Sequence, residues 1–237
     1  VATVGIYSLK GGVGKTTLAV NLAWAAATQS ARRTLLWDLD PQAASTFLMG
    51  AKKTKGDAQA IFARDLDPAK LIRDTAIPRL DLIGADASLR GLDLLFHELD
   101  KKKRLQKLLA VLARDYDRIL LDCPPGLTET SEQVIRGADL IVVPVIPSPL
   151  SQRAFAEMAA HFKGKPCILP VHVMVDRRRK LHAEALAAEP GWPVIPMASA
   201  VEQMAARRAP LGAFAGRSVA AKAFSALWQT IEMRLSK

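Results

Sequence analysis

Two cysteines in 237 residues leave little scope for chemistry built on sulfur. Neither Cys123 nor Cys167 belongs to a C-x-x-C pair and each lies in an apolar stretch, so both read as buried, reduced thiols. The four histidines, His97, His161, His172 and His182, have no metal-ligand spacing, which excludes a zinc-type centre as the organising feature. Aromatic residues are 5% of the chain and do not alternate with its basic runs, which argues against stacking on single-stranded nucleic acid. No apolar stretch approaches the ~20 residues of a membrane span. Repeats and low-complexity tracts are also missing. The first residues enter an apolar run at once, with no charged leader or cleavage site, so a cytoplasmic protein is expected.

What is present is a chain that is 50% apolar and long enough to bury one substantial core. Apolar runs alternate with helical patterns at the spacing of βαβ units. Strands are predicted at 3–7, 34–38, 80–84, 118–122, 140–145, 167–175 and 194–195, with helices in most of the gaps. The expected fold is α/β: a single domain over 1–237, with a mostly parallel, doubly wound sheet flanked by helices. The Lys-rich stretch 51–55 reads as a loop.

The chemistry concentrates in Lys10-Gly11-Gly12-Val13-Gly14-Lys15-Thr16-Thr17, between the first strand and a helix predicted over 17–28. Gly11, Gly12 and Gly14 allow a turn whose N–H groups approach an anion, and the helix start adds partial positive charge. In such a loop Lys15 serves the β- and γ-phosphates and the Thr16 hydroxyl serves Mg²⁺. The common pattern has glycine six residues before this lysine, where Leu9 stands here. Two further strands end in acids, at Asp38-Leu39-Asp40-Pro41-Gln42 and at Asp122-Cys123-Pro124-Pro125-Gly126. Because ligands sit at the carboxyl ends of parallel strands, Asp38, Asp40 and Asp122 should converge on the bound phosphates.

These three segments resemble the ParA/MinD family of deviant Walker ATPases, its ParA branch most closely. The resemblance implies that Lys10 is the signature lysine, crossing an ATP-sandwiched homodimer to the partner's nucleotide. It implies that residues 10–17 (Val13 and Thr17 included) hold ATP, and that Lys10, Lys15 and Asp40 are catalytic, Asp40 orienting the attacking water. Asp122 becomes the acid of the Mg²⁺ shell together with Thr16, with Asp38 supporting that shell from one layer out. The Asn-Lys-x-Asp signature of Ras-type GTPases is missing, so ATP is expected. The resemblance places the base near Asp176 and Pro196, beside Met197, where the family usually has Arg.

Charge supplies the second half of the expectation. Thirty-three basic residues exceed 23 acidic ones, a net +10 that draws a protein to polyanions. From His172 onward the basic residues include Arg177, Arg178, Arg179, Lys180, Arg207, Arg208, Arg217 and Lys222. ParA-like ATPases bind double-stranded DNA without sequence preference through this region, so the resemblance implies a nucleoid-associated protein. Phosphate contacts alone suffice for such binding. A second basic run, 101–104, reads equally as a solvated helix face.

The resemblance further implies partition or positioning of a cargo (plasmid, chromosome or protein organelle) with hydrolysis stimulated by a ParB-like or cargo-adaptor protein. A helix over 148–162 is a candidate docking surface, or an ordinary packing helix. No N-terminal helix-turn-helix domain is expected, because Val4 already belongs to the first strand. The rival class is a MinD-like membrane switch, suggested by a C-terminal stripe of Phe224, Leu227, Trp228, Ile231 and Leu235 that could enter a bilayer. Packing against the domain explains the same stripe, and membrane association is not the expectation. A metal-cluster carrier or ATP-dependent ligase on this scaffold is the third class, disfavoured by the scarcity of cysteine.

Overall fold

Runs of β-branched and leucine residues build the strands, and their alternation decides which face each side chain covers. The computed structural model describes residues 1–51, 58–63, 67–98, 103–162 and 167–236. Among them the strands are β1 (Ala2–Ile6), β2 (Thr34–Asp38), β3 (Ile72–Asp74), β4 (Leu80–Ile83), β5 (Arg118–Asp122), β6 (Leu140–Val145), β7 (Cys167–Val175) and β8 (Val194–Pro196). They form one sheet in the order β3-β4-β2-β5-β1-β6-β7-β8. Every pairing is parallel except the antiparallel edge β3/β4. The expected doubly wound α/β architecture is therefore observed, with the added edge strand β3.

The helices are α1 (Lys15–Thr28), α2 (Ala44–Leu48), α3 (Ala60–Ala63), α4 (Leu92–Glu98), α5 (Arg104–Leu112), α6 (Glu129–Gly137), α7 (Pro149–His161), α8 (Lys180–Ala188), α9 (Ser199–Arg207), α10 (Leu211–Ala215) and α11 (Val219–Leu235). Strand alternation sorts the core into two layers. Leu36, Leu120 and Val142 join α1 and α11 on one face, while Leu35, Ile119 and Ile141 join α5 and α6 on the other. Most of the predicted 51–55 loop, and Lys101 and Lys102 of the second basic run, lie outside the described residues.

β1 sits at the centre, between β5 and β6, where the strand order reverses. Such a switch point opens a crevice at the carboxyl ends of the strands. Gly5 allows α6 to approach β1, since a Cβ there would lie 2.6 Å from Ile141 Cδ1 and 2.9 Å from Val134 Cγ1.

The C-terminal helix is held in place. Phe224, Leu227, Trp228 and Ile231 are buried in the layer that contains α1. Arg118 grips Glu232 through two hydrogen bonds of 2.9 and 2.7 Å, and Trp228 Nε1 donates to Ser30 Oγ at 2.8 Å. The apolar stripe that could have served a bilayer is thus part of the core. Among the described residues no helix is long and apolar enough to cross a membrane. The expectation of two buried cysteines needs correction: Cys123 is buried, but Cys167 begins β7 at the sheet's far end and is exposed.

Candidate nucleotide site

The turn between β1 and α1 is built by two glycines in the left-handed region, Gly12 at φ 71° and Gly14 at φ 87°. A Cβ on Gly14 would meet only Met174 Cε, at 3.7 Å, so backbone conformation rather than space requires glycine there. Lys15 follows as the first residue of α1 and is buried. Its Nζ donates to the carbonyl oxygen of Lys10 at 3.0 Å, which holds the loop closed over the helix start. Burial lowers the Lys15 pKa, opposed by the charges of Asp122 and Asp40. The side-chain ammonium of Lys10 has no ion-pair or hydrogen-bond partner among the described residues.

Asp38 and Asp122 close β2 and β5 as register partners. Asp122 Oδ2 accepts from Ser45 Oγ at 2.7 Å, whereas its Oδ1 is buried without a hydrogen-bond partner. Burial raises the pKa of this carboxyl, and the hydroxyls of Ser45 and Thr16 draw it back down. Asp38 differs. Its Oδ2 accepts from Thr46 N at 2.8 Å and Thr46 Oγ1 at 2.7 Å, and its Oδ1 accepts from Asp40 N at 3.1 Å. Both Asp38 oxygens thus clasp the chain between β2 and α2, one layer out from the open Asp122 oxygen. Burial, then the neighbouring Asp122 charge, pushes the Asp38 pKa up.

Asp40 stands in that clasped segment, its Oδ1 accepting from Gln42 N at 2.8 Å. It lines a cleft of 680 Å³ together with Gly11, Gly12, Gly14, Lys15, Thr16 and Thr17. The opposite wall, which motif reading missed, comes from Arg90, Asp93, Thr128 and Thr130. The Asp93 Oδ1 accepts from Thr130 N and Oγ1 at 2.9 and 2.7 Å, tying α4 to α6 at the rim. A smaller apolar pocket of 140 Å³ adjoins the cleft through Gly14, Thr17 and Met174, and includes Val13, Pro196 and Met197. Pro196 lines this apolar pocket, but Asp176 does not. Its carboxylate instead forms two hydrogen bonds to the Arg178 guanidinium, at 2.9 and 2.8 Å.

The basic residues divide by partner. Arg177, Arg179, Arg217 and Lys222 are exposed and make no ion pair among the described residues, and Lys180 lies 3.9 Å from Glu184. Arg178 is bound to Asp176, Arg207 sits 4.9 Å over the Phe214 ring and Arg208 sits 4.5 Å over the Phe47 ring. Among the described residues no cluster of three or more His, Cys, Asp and Glu has metal-holding geometry.

A parallel sheet with a glycine loop at its switch point, a buried lysine at the helix start and an open carboxylate oxygen beneath defines a P-loop nucleotide-binding protein. A family model described as an AAA domain matches residues 1–164. The chromosome partitioning protein ParA of Myxococcus xanthus (strain DK1622) is 36% identical over 151 residues, covering 61% of this chain and 53% of that protein. The sporulation initiation inhibitor protein Soj of Bacillus subtilis (strain 168) is 34% identical over 145 residues, covering 60% and 57%. The chain spans about half the length of the curated relatives it matches. The crystal structure of the Pyrococcus furiosus cell division ATPase MinD shares the fold, with a TM-score of 0.83 over 98% of both chains at 22% identity. The chain belongs to the matched AAA-domain family and, with these relatives, to the ParA/MinD family of Walker-type ATPases.

Proposed function

We propose that this chain is a Mg²⁺-dependent ATPase that dimerises on ATP, binds double-stranded DNA without sequence preference and positions a cargo. The observation that carries the reading is the pair of lysines in one turn. Lys15 is buried at the helix start, while Lys10, next to Gly11 of the cleft lining, is only partly buried and its ammonium has no partner among the described residues. In this reading the amides of residues 11–14 and Lys15 bind the triphosphate, Asp40 orients the attacking water, and Lys10 of one subunit stabilises charge on the other's phosphates. Phosphoryl transfer depends on such positioning and electrostatics. Hydrolysis then requires association, so the nucleotide sets the balance between dimer and monomer.

The residues fit Mg²⁺. Asp122 Oδ1 is a buried oxygen without a donor, Thr16 supplies a hydroxyl beside it, and hard cations take oxygen ligands. When bound, the ion would neutralise charge on the phosphates. ATP rather than GTP is supported by the missing Asn-Lys-x-Asp signature, and the pocket at Pro196 offers an apolar wall for the base.

The DNA half rests on exposed basic residues around the start of α8 and near α11, on the +10 charge, and on the relative named as a chromosome partitioning protein. Dimerisation would double the phosphate contacts. A ParB-like or cargo-adaptor activator completes the cycle, in a cytoplasmic protein associated with the nucleoid.

The test is ATP turnover together with binding to random duplex DNA and to anionic liposomes, each with ADP, ATP and a slowly hydrolysed analogue. ATP-dependent DNA binding and DNA-independent affinity for Mg²⁺-ATP are expected. Lipid binding without DNA binding would replace this reading with the membrane switch.

A further inference from the structure

Arg208, one of the residues expected on a DNA-facing surface, is occupied by another part of the molecule. It ends α9 at φ 49°, a left-handed conformation that L-residues resist. From there its guanidinium covers the Phe47 ring at 4.5 Å, and its Nε donates to the Phe47 carbonyl oxygen at 3.3 Å. Phe47 remains 46% exposed with Arg208 over it.

The two residues before Phe47 bind the acids of the site. Ser45 Oγ donates to Asp122 Oδ2 at 2.7 Å, and Thr46 N and Oγ1 donate to Asp38 Oδ2 at 2.8 and 2.7 Å. Thr46 Oγ1 also accepts from Ala85 N at 2.9 Å, which anchors the helix to the end of β4. Three consecutive residues of the five-residue α2 thus join Arg208 to both carboxylates. So short a helix has little stability of its own and depends on such contacts. Its outer side is the side Arg208 covers. The neighbouring Arg207 takes no part in this, because it packs over Phe214 of α10.

We propose that Arg208 is a positioning residue for the metal site: it clamps α2, and α2 sets Asp122 and Asp38. The inference rests on the reading of the cleft as a Mg²⁺-nucleotide site, and it does not require DNA binding. With the clamp in place, Ser45 holds Oδ2 of Asp122 and leaves Oδ1 directed by the same geometry. Without it, α2 gains freedom and the carboxylate must be ordered at the moment the ion binds.

The experiment measures the affinity of the full chain for a fluorescent, slowly hydrolysed ATP analogue with and without Mg²⁺, in wild type, R208K, F47A and F47L. R114K serves as a charge-conserving control, because Arg114 is exposed just beyond α5, which packs in the other core layer. Lysine keeps the charge but loses the planar stack and the Nε donor. R208K, F47A and F47L should each lose about fivefold of the Mg²⁺-dependent gain in affinity, the scale of one cation–π contact, with binding in EDTA little changed. Duplex DNA binding by R208K should persist when the nucleotide is saturating. A full Mg²⁺ gain in R208K and F47L overturns the proposal, and loss of DNA binding with that gain intact returns Arg208 to the DNA surface. R208K decides if the Phe47 variants fail to fold. Should wild type itself show no Mg²⁺ gain, the reading of the site falls first and the inference with it.

Discussion

Asp38 and Asp122 are register partners on adjacent strands, yet only Asp122 keeps an oxygen without a donor. The difference follows from what each meets in α2. Ser45 offers Asp122 a single hydroxyl, while Thr46 offers Asp38 both its hydroxyl and its backbone N–H, and Asp40 N takes the remaining oxygen. One acid is therefore fully engaged by the chain, and the other keeps an oxygen open.

Replacing them separates the roles. Asp38→Ala leaves the buried Thr46 donors without an acceptor, a mechanism that costs about 1–3 kcal/mol, and should lower the melting temperature whether or not nucleotide is present. Asp122→Ala should abolish the Mg²⁺-dependent gain in nucleotide affinity. Equal stability loss in both, with Mg²⁺ binding intact in Asp122→Ala, would show that the acids have been assigned the wrong way round. Thermal melts in EDTA and in Mg²⁺-nucleotide make the comparison.

The same pair gives a pH dependence whose sign can be worked out. Burial raises both carboxyl pKa values, so above about pH 4, the ordinary aspartate range, the native state holds more protons than the unfolded chain. Stability from these groups is then lost as pH rises through their raised native values. In EDTA the melting temperature should fall with rising pH across that window, and Asp38→Asn should flatten the slope even though it shifts the absolute value. Mg²⁺ with nucleotide should stabilise progressively more at higher pH, since cation binding favours the ionised form. A slope of opposite sign would remove the buried acids as its source.

The two lysines of the loop should fail differently. Lys15→Ala removes the buried ammonium that closes the loop on the Lys10 carbonyl, so nucleotide binding itself should be lost. Lys10→Ala leaves that bond in place, because only a backbone oxygen is used. Its nucleotide affinity should stay near wild type while turnover falls about 100-fold, the scale of losing one charge-stabilising donor. Mixing Lys10→Ala with Asp40→Ala chains should restore some turnover if the lysine acts across a dimer, because one composite site then has both groups. Absence of any recovery would place Lys10 in its own subunit's site.

Much of this was legible because the chemistry is local. The glycine loop is eight consecutive residues, and β2, β5, β6 and β7 begin and end at the residues expected from the sequence. β3 escaped notice because Ile72-Arg73-Asp74 is a three-residue, half-exposed edge with no apolar run to mark it. The engagement of Asp38 by Thr46 depends on α2, a one-turn helix preceded by Ala43 at φ 56°, with no capping side chain to announce it. The Arg208 clamp spans 161 positions, and Ser45 and Asp122 are 77 apart; no periodicity encodes such pairs. In sequence Arg177, Arg178 and Arg179 are indistinguishable, and only coordinates assign Asp176 to the middle one.

That assignment yields a graded prediction for DNA. A phosphate contact made by an unpaired arginine contributes about 0.9 to the slope of log affinity against log salt for duplex DNA. Arg177→Ala and Arg179→Ala should each reduce the slope by about that amount and weaken all sequences alike. Arg178→Ala should do less, because its guanidinium is already held in a bidentate ion pair with Asp176 and is not free to make a phosphate contact. Asp176→Asn gives the converse: freeing Arg178 should steepen the slope and tighten binding at low salt. Titrations of random duplex at several salt concentrations, in the slowly hydrolysed ATP analogue, read all four. If Arg178→Ala matches its neighbours, the ion pair opens on DNA; if none of the three changes the slope, the basic surface that meets DNA lies nearer Arg217 and Lys222.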